Sequence, residues 1–157
     1  MFVALVRNLS IGAFCLFSIT ACGFSPVFAP GSESNEYLSD ITYAPPNNRL
    51  SYLLVRRMEE RLGRNLQASK ILRYEIHLEE EGYELAPGRI QRVGKLNYQL
   101  VSKDDQRVLL QGQVESFTSF TNAGALINAD RRYADERLIV ILADKLVTDL
   151  IAKQAHQ

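Results

Sequence analysis

The feature that most constrains the fold is a set of three segments in which apolar and polar residues alternate. In the first segment, the polar residues Arg73, Glu75, His77 and Glu79 alternate with Leu72, Tyr74, Ile76 and Leu78. The second segment alternates Lys95, Asn97 and Gln99 with Leu96, Tyr98 and Leu100. The third alternates Arg107, Gln111, Gln113 and Glu115 with Val108, Leu110, Gly112 and Val114. A period of two places one set of side chains on each face of a sheet. The connections are short, so we expect an antiparallel meander with one apolar and one polar face. Leu109 breaks the alternation.

Two segments with helical spacing flank this meander. In the first, Leu50, Leu53, Leu54, Met58 and Leu62 form one stripe, Asn47 or Asn48 can cap its start, and Gly63 marks its end. The second segment begins near Asp130 and continues to about Ala152. Its middle is apolar on all sides, which indicates that two of its sides are covered.

A short strand, Ser39–Tyr43, precedes the first helix, and Pro45-Pro46 ends it. The order of elements is therefore β-α-β-β-β-α. Because one sheet face is apolar, we predict an α+β fold: a two-layer sandwich with two helices packed on one face of a four-stranded mixed sheet. The first helix would connect two strands that lie parallel.

The N-terminus has the pattern of an export signal. Arg7 is followed by an apolar run too short to cross a bilayer as a helix, and then by Ile19-Thr20-Ala21-Cys22. This tetrapeptide resembles the lipobox of bacterial lipoproteins, which implies cleavage before Cys22 and covalent lipid on its thiol and amine. An Asp directly after the lipidated Cys would favour the inner membrane, so Gly23 at this position favours the outer membrane. The predicted organisation is a signal peptide (residues 1–21), a lipidated linker (22–36) and one domain (37–157).

The charged residues and cysteines of the mature chain do not form a recognisable site for nucleic acid or a metal ion. Arg7 is the only charged residue before Cys22, so 17 basic and 18 acidic residues remain, and the near-neutral balance argues against nucleic acid. Cys15 leaves with the signal and Cys22 takes lipid, so no disulfide or metal-binding thiol pair is expected. Alternation divides Glu79, Glu80 and Glu81 between two faces. We therefore predict no metal and no cofactor beyond the covalent lipid.

Catalytic motifs are also missing from the sequence. It contains no Gly-x-Ser-x-Gly, His-Glu-x-x-His or phosphate-binding glycine loop. His77 lies on the polar side of a predicted strand, and His156 lies in the C-terminal tail. We expect that the protein is not an enzyme.

The mature chain resembles the lipopolysaccharide-assembly lipoprotein (LptE) family. The resemblance rests on the opening Cys-Gly-Phe-Ser-Pro-Val-Phe (22–28), on the order of elements, and on Tyr-Ala-Asp-Glu-Arg-Leu (133–138) leading into Ile-Leu-Ala-Asp-Lys-Leu (141–146). It implies a non-catalytic lipoprotein on the periplasmic side of the outer membrane. Such a protein plugs the lumen of a large LptD-like β-barrel, assists its assembly and helps deliver lipopolysaccharide to the outer leaflet. The alternative is another periplasmic lipoprotein, either a chaperone similar to secretin pilotins or an accessory subunit of a lipid transporter.

Two surfaces are candidates for contact with such partners. Arg89, Arg92 and Lys95, near the first hairpin, could pair with lipopolysaccharide phosphates, although alternation puts Arg92 on the opposite face; the alternative is scattered surface charge. The polar sheet face suits the polar lumen of a barrel. Within the mixed stretch from Phe117 to Ile127, Phe117 or Phe120 could anchor the contact, or the stretch could pack under the protein's own helices.

Overall fold

The computed structural model describes residues 33–82, 88–121 and 127–155. Its elements are α1 (Glu33–Ser39), β1 (Ile41–Tyr43), α2 (Arg49–Leu62), β2 (Lys70–Gly82), β3 (Arg89–Ser102), β4 (Val108–Thr121) and α3 (Ile127–Gln154). The predicted signal peptide, Cys22, linker residues 22–32 and His156 lie outside the described residues. The predicted α+β class and the order from β1 to α3 are confirmed.

The four strands form one mixed sheet in the order β1-β2-β3-β4. β1 lies parallel to β2, with Ile41 beside Lys70, and α2 connects the two strands. β2, β3 and β4 form the predicted antiparallel meander, with Leu72 opposite Leu100 and Leu100 opposite Leu110. The long strands of this meander each extend about 45 Å, at roughly 3.3 Å per residue.

Leu109 is the extra residue of a β-bulge. Leu100 pairs with Leu110 and Val101 pairs with Val108, so Leu109 has no partner residue on β3. A bulge places two residues of one strand opposite one of its neighbour, which reverses the facing of the residues beyond it. This explains why the alternation in the sequence breaks at Leu109.

Helix α2 begins and ends close to the predicted positions. Asn48 caps it: its side chain accepts from the Ser51 N–H at 2.9 Å, and the Ser51 hydroxyl accepts from the Asn48 N–H at 3.0 Å. Gly63 follows the helix with a φ of 85°, a conformation that glycine adopts without steric cost. Its N–H donates to the Glu59 carbonyl at 2.9 Å.

Helix α1 was not predicted. The sequence analysis placed residues 33–36 in the linker, whereas in the structure they belong to this short helix. A helix of 7 residues is marginal in isolation whatever its composition. The helix is held by tertiary packing, because Leu38 is buried in the core and α1 contacts α3.

Helix α3 covers the apolar face of the sheet. It packs against β3 and β4, and α2 packs beside it, as the two-layer prediction required. The core between the layers includes Leu54, Leu72, Leu96, Leu100, Leu138, Leu142, Leu146 and Leu150. Among the described residues, no helix has the length and apolar character needed to span a bilayer.

Candidate functional site

The polar face of the sheet is left uncovered by the helices. Two rows of polar side chains cross the three long strands: Arg73, Gln99 and Gln111 in one, and Glu75, Asn97 and Gln113 in the other. The row between them consists of Tyr74, Tyr98 and Gly112, and the two tyrosine side chains point toward the helices. A shallow depression of about 640 Å³ therefore lies between the two polar rows, with the strand backbone as its floor.

The chemistry of this depression is dominated by amides. Each of Gln99, Gln111, Asn97 and Gln113 offers both donors and an acceptor, so the surface can match many polar partners. The charged side chains beside these amides already contact other side chains of the protein. Arg73 donates to the Gln106 side chain at 2.7 Å, and the His77 Nε2 lies 3.3 Å from a Glu75 oxygen. In the part of the chain that the structure describes, no three acidic, His or Cys side chains gather as a metal site.

A large aromatic side chain interrupts this polar face. Phe117 pairs across the sheet with Val93 and is 61 % exposed. Phe120, in contrast, is only 7 % exposed and belongs to the covered side. The structure thus divides the mixed stretch: Phe117 is free to contact a partner, and Phe120 packs within the protein. Both residues belong to β4, which continues to Thr121.

The structure separates the three basic residues proposed to bind lipopolysaccharide. Arg89 and Lys95 lie on the polar face, but six residues of strand place them about 20 Å apart. Arg89 donates to the Ser119 hydroxyl at 2.8 Å, and Lys95 lies in a row with His77 and Glu115. One phosphate group cannot contact both side chains at that separation.

Arg92 faces the helices and is held by carboxylates. Its Nε lies 2.7 Å from Asp135 Oδ1 on α3, and its Nη1 lies 3.4 Å from Glu80. The Arg92 side chain is only 16 % exposed. Arg92 therefore attaches β3 to α3 and is not presented to a ligand, which removes it from the predicted cluster.

A polar cluster that the sequence analysis missed lies beneath the other end of the sheet. The Tyr98 hydroxyl donates to Asp149 at 2.5 Å, and the Lys153 ammonium donates to Asp149 at 2.9 Å and to the Gln111 carbonyl at 2.9 Å. Gly112 leaves the space for these groups, since a Cβ there would lie 2.8 Å from the Tyr98 hydroxyl. The i,i+4 spacing of Asp149 and Lys153 and the strand glycine were the available signals.

The hydrogen bonds and the burial of this cluster shift the pKa values of its three groups. Burial, together with the bond to Asp149, raises the pKa of Tyr98 to about 12. Burial alone would raise the pKa of Asp149, but the hydrogen bonds from Tyr98 and Lys153 outweigh it and lower that pKa. The hydrogen bonds that Lys153 donates to the Tyr98 hydroxyl, at 3.0 Å, and to Asp149 raise the pKa of Lys153 against the effect of burial. The pKa values of Tyr98, Asp149 and Lys153 are thus each shifted away from neutral pH.

These features define a class of structure: a two-layer α+β sandwich with one sheet face covered by helices and the other polar and open. Several solved structures share the fold. A candidate lipoprotein from Caulobacter crescentus CB15 matches with a TM-score of 0.66 and 16% identity, over 78% of this chain and 95% of that one. The rare lipoprotein B from Shewanella oneidensis matches with a TM-score of 0.54 and 12% identity, over 74% and 95%.

A minor lipoprotein from Acinetobacter baumannii matches with a TM-score of 0.55 and 12% identity, over 73% of this chain and 93% of that one. All three neighbours are thus described as lipoproteins, and all come from Gram-negative bacteria. At these identities the likeness is one of fold. No protein-family model matches the chain. No curated protein matches it either.

Proposed function

We propose that this protein is an outer-membrane lipoprotein, anchored through Cys22, that occupies the lumen of a lipopolysaccharide-translocating β-barrel and assists its assembly. In this role it would help deliver lipopolysaccharide to the outer leaflet without catalysing a reaction. The proposal joins the resemblance of the mature chain to the LptE family with a fold shared by lipoproteins of Gram-negative bacteria.

The observation that carries the proposal is the open polar face of the sheet. A barrel lumen is lined by polar side chains, so a plug should meet it through hydrogen-bonding surfaces and ordered water. The amides at Asn97, Gln99, Gln111 and Gln113 supply such a surface. Phe117 supplies one large apolar contact of the kind that concentrates binding energy in a polar interface.

The anchor is tested by the modification state of the mature N-terminus. We expect mass spectrometry to find a lipid-modified N-terminal Cys22 in the wild-type protein. The Cys22→Ser variant should lack lipid and should not be cleaved at this position. Cys15→Ser is the matched control, because a residue of the apolar run should leave lipidation unchanged. An unmodified mature N-terminus elsewhere, such as after Ala29, would reject the anchor.

The partner is tested by purification of the affinity-tagged protein from detergent-solubilised outer membranes. One large β-barrel protein should co-purify with it in a constant ratio that survives stringent washing. Co-purification with secretin subunits would favour the pilotin alternative, and co-purification with an inner-membrane lipid transporter would favour the accessory-subunit alternative. Either result would contradict the plug.

Lipopolysaccharide binding is proposed for two basic residues of the polar face, the exposed Arg89 and the half-buried Lys95, each acting by itself. Arg89→Ala and Lys95→Ala should each weaken lipopolysaccharide binding to the folded protein. Gln111→Ala, at the other end of the same face, serves as the control. If both basic variants bind lipopolysaccharide as tightly as wild type, this part of the proposal is wrong.

A further inference from the structure

The two edges of the sheet differ in how their backbone is covered. Along β4, side chains of α3 donate to outward carbonyls: Arg137 to Ser119 at 3.1 Å, Lys145 to Glu115 at 2.7 Å, and Lys153 to Gln111 at 2.9 Å. The donors are eight residues apart on the helix, about 12 Å, and the acceptors four residues apart on the strand, about 13 Å. The matched spacing lets α3 occupy these three outward carbonyls, and in this sense we call the β4 edge sealed.

The opposite edge of the sheet belongs to β2, and among the described residues only the start of this edge is covered. β1 pairs with the segment from Lys70 to Leu72, and the Ala44 N–H donates to the Leu72 carbonyl at 2.9 Å. Backbone groups alternate in direction along a strand, so those of Tyr74, Ile76 and Leu78 point outward too. Within the described residues, no hydrogen bond to these outward groups is present.

The apolar side chains next to this edge are incompletely covered. Leu96 and Leu100 on β3 are fully buried beneath α3, whereas Tyr74, Ile76 and Leu78 on β2 are only half-buried. Helix α2 has 14 residues and is about 21 Å long, which is half the length of β2. A row of apolar surface therefore accompanies the open backbone edge.

The other face of the same edge is acidic. Glu75, Glu79 and Glu81 are exposed on the polar face of β2 and outnumber Arg73, the arginine on the same face of this strand. A strand added here would place alternate side chains beside the apolar row and beside these carboxylates. The complementary sequence is one in which apolar and basic residues alternate.

We propose that the outer edge of β2, from Arg73 to Glu81, accepts an extended segment of a partner protein as an added strand. The segment alternates apolar with basic residues. Main-chain hydrogen bonds to Tyr74, Ile76 and Leu78 provide the binding, and the apolar row and carboxylates provide the selectivity. The proposal stands independently of the barrel function, because it depends on this edge alone.

The probe for this edge is a synthetic peptide of alternating valine and lysine, long enough to pair with the whole segment. Residue-specific hydrogen exchange is measured on the full-length protein with and without the peptide. Without it, we expect the amides of Tyr74, Ile76 and Leu78 to exchange much faster than those of Glu75 and His77, which face β3. Saturating peptide should slow the three outward amides by about tenfold or more.

Backbone methylation of the peptide separates strand addition from simple charge attraction. Two further peptides carry N-methyl groups on all valines or on all lysines. An added strand bonds through one of its edges, so one methylated peptide should bind like the parent and the other should fail. Equal binding by both would overturn the proposal, since side-chain attraction does not distinguish them.

Charge reversal tests the acidic part of the edge. Glu79→Lys combined with Glu81→Lys should weaken peptide binding by about tenfold or more, as expected for repulsion at two positions. Glu115→Lys, at the sealed β4 edge of the same face, is the matched control and should leave binding unchanged. The proposal is overturned if the outward amides are already protected without peptide, or if no peptide concentration slows their exchange.

Discussion

At the scale of single residues, Asp40 fixes the junction between β1 and β2. Its carboxylate accepts from the Ser69 N–H at 2.7 Å, from the Ser69 hydroxyl, and from the Lys70 ammonium at 2.9 Å. Burial alone would raise the pKa of Asp40, but the bonds from Ser69 and Lys70 lower it from 3.8 to about 2. The charged form of Asp40 therefore stabilises the folded state.

We expect Asp40→Asn to lower the free energy of unfolding by about 1 kcal/mol above pH 4, because the carboxylate is 36 % exposed and solvent screens its contacts. The folded-state pKa is depressed, so this contribution is present above the unfolded pKa and is lost as pH falls toward 2. Urea unfolding at several pH values measures it. A difference between variant and wild type that stays constant from pH 6 to about 2 would contradict this assignment.

Gly112 is required by the close approach of Tyr98 and Lys153 to the sheet. A methyl group there would lie 2.8 Å from the Tyr98 hydroxyl and would overlap the Lys153 ammonium. Gly112→Ala should therefore destabilise the protein by about 1–3 kcal/mol in urea unfolding. Gln113→Ala, the exposed neighbour, should stay within about 0.5 kcal/mol of wild type. Similar effects of the two substitutions would mean that the cluster does not constrain the strand.

At the scale of elements, α3 is tied to the sheet by the pair Arg92–Asp135 and to α2 by an ion-pair group. Arg57 and Arg61 both contact Asp144, with the closest nitrogen–oxygen distance 2.7 Å. These pairs lie along one long helix, so they fix its position relative to both the sheet and α2. The Arg92–Asp135 pair is more buried than the pairs to Asp144, so removal of Arg92 should lower the free energy of unfolding more than removal of Arg57 or Arg61.

We expect Arg92→Ala to destabilise the protein by about 3 kcal/mol, because it leaves the Asp135 carboxylate buried without its closest partner. Arg89→Ala, on the exposed face of the same strand, should change stability by less than about 0.5 kcal/mol. In a double-mutant cycle, Asp135→Ala should recover part of the loss from Arg92→Ala. Equal, small effects at Arg89 and Arg92 would show that the pair does not hold β3 to α3.

The strands and the two long helices could be predicted because their periodicity reports directly which face is buried. Leu96 and Asn97 are adjacent in sequence, and the structure places them on the buried and exposed faces as expected. Periodicity could not predict the lengths of β2 and β3, or the sheet face on which the Phe120 side chain lies. These depend on a hairpin register and on contacts with α3 that periodicity does not encode.

The candidate site was predictable only in part, for a similar reason. The polar face follows from alternation, so Gln99 and Gln113 were identified correctly. That Arg92 pairs with Asp135, 43 residues away, is a tertiary contact without a local signal. The same limit applies to the Tyr98–Asp149–Lys153 cluster and to the sealing of β4 by α3.

At the scale of the whole molecule, the protein is a sandwich with one sheet face covered by helices and the other face polar and open. The helices, the ion pairs and the sealed β4 edge consolidate the closed side. The open face, with its amides and Phe117, is the surface that a polar barrel lumen would meet. The lipid anchor proposed at Cys22 would keep this surface at the membrane.

Site-specific photo-crosslinking in living cells tests this central claim most directly. Photoreactive residues replace Gln99 and Gln113 on the open face, and Tyr52, which is 57 % exposed on α2 in the helix layer, is the control position. We expect the photoreactive residues at Gln99 and Gln113 each to crosslink to one large outer-membrane barrel protein, and the one at Tyr52 not to do so. Crosslinks from the open face only to soluble periplasmic proteins, or no crosslinks at all, would contradict it.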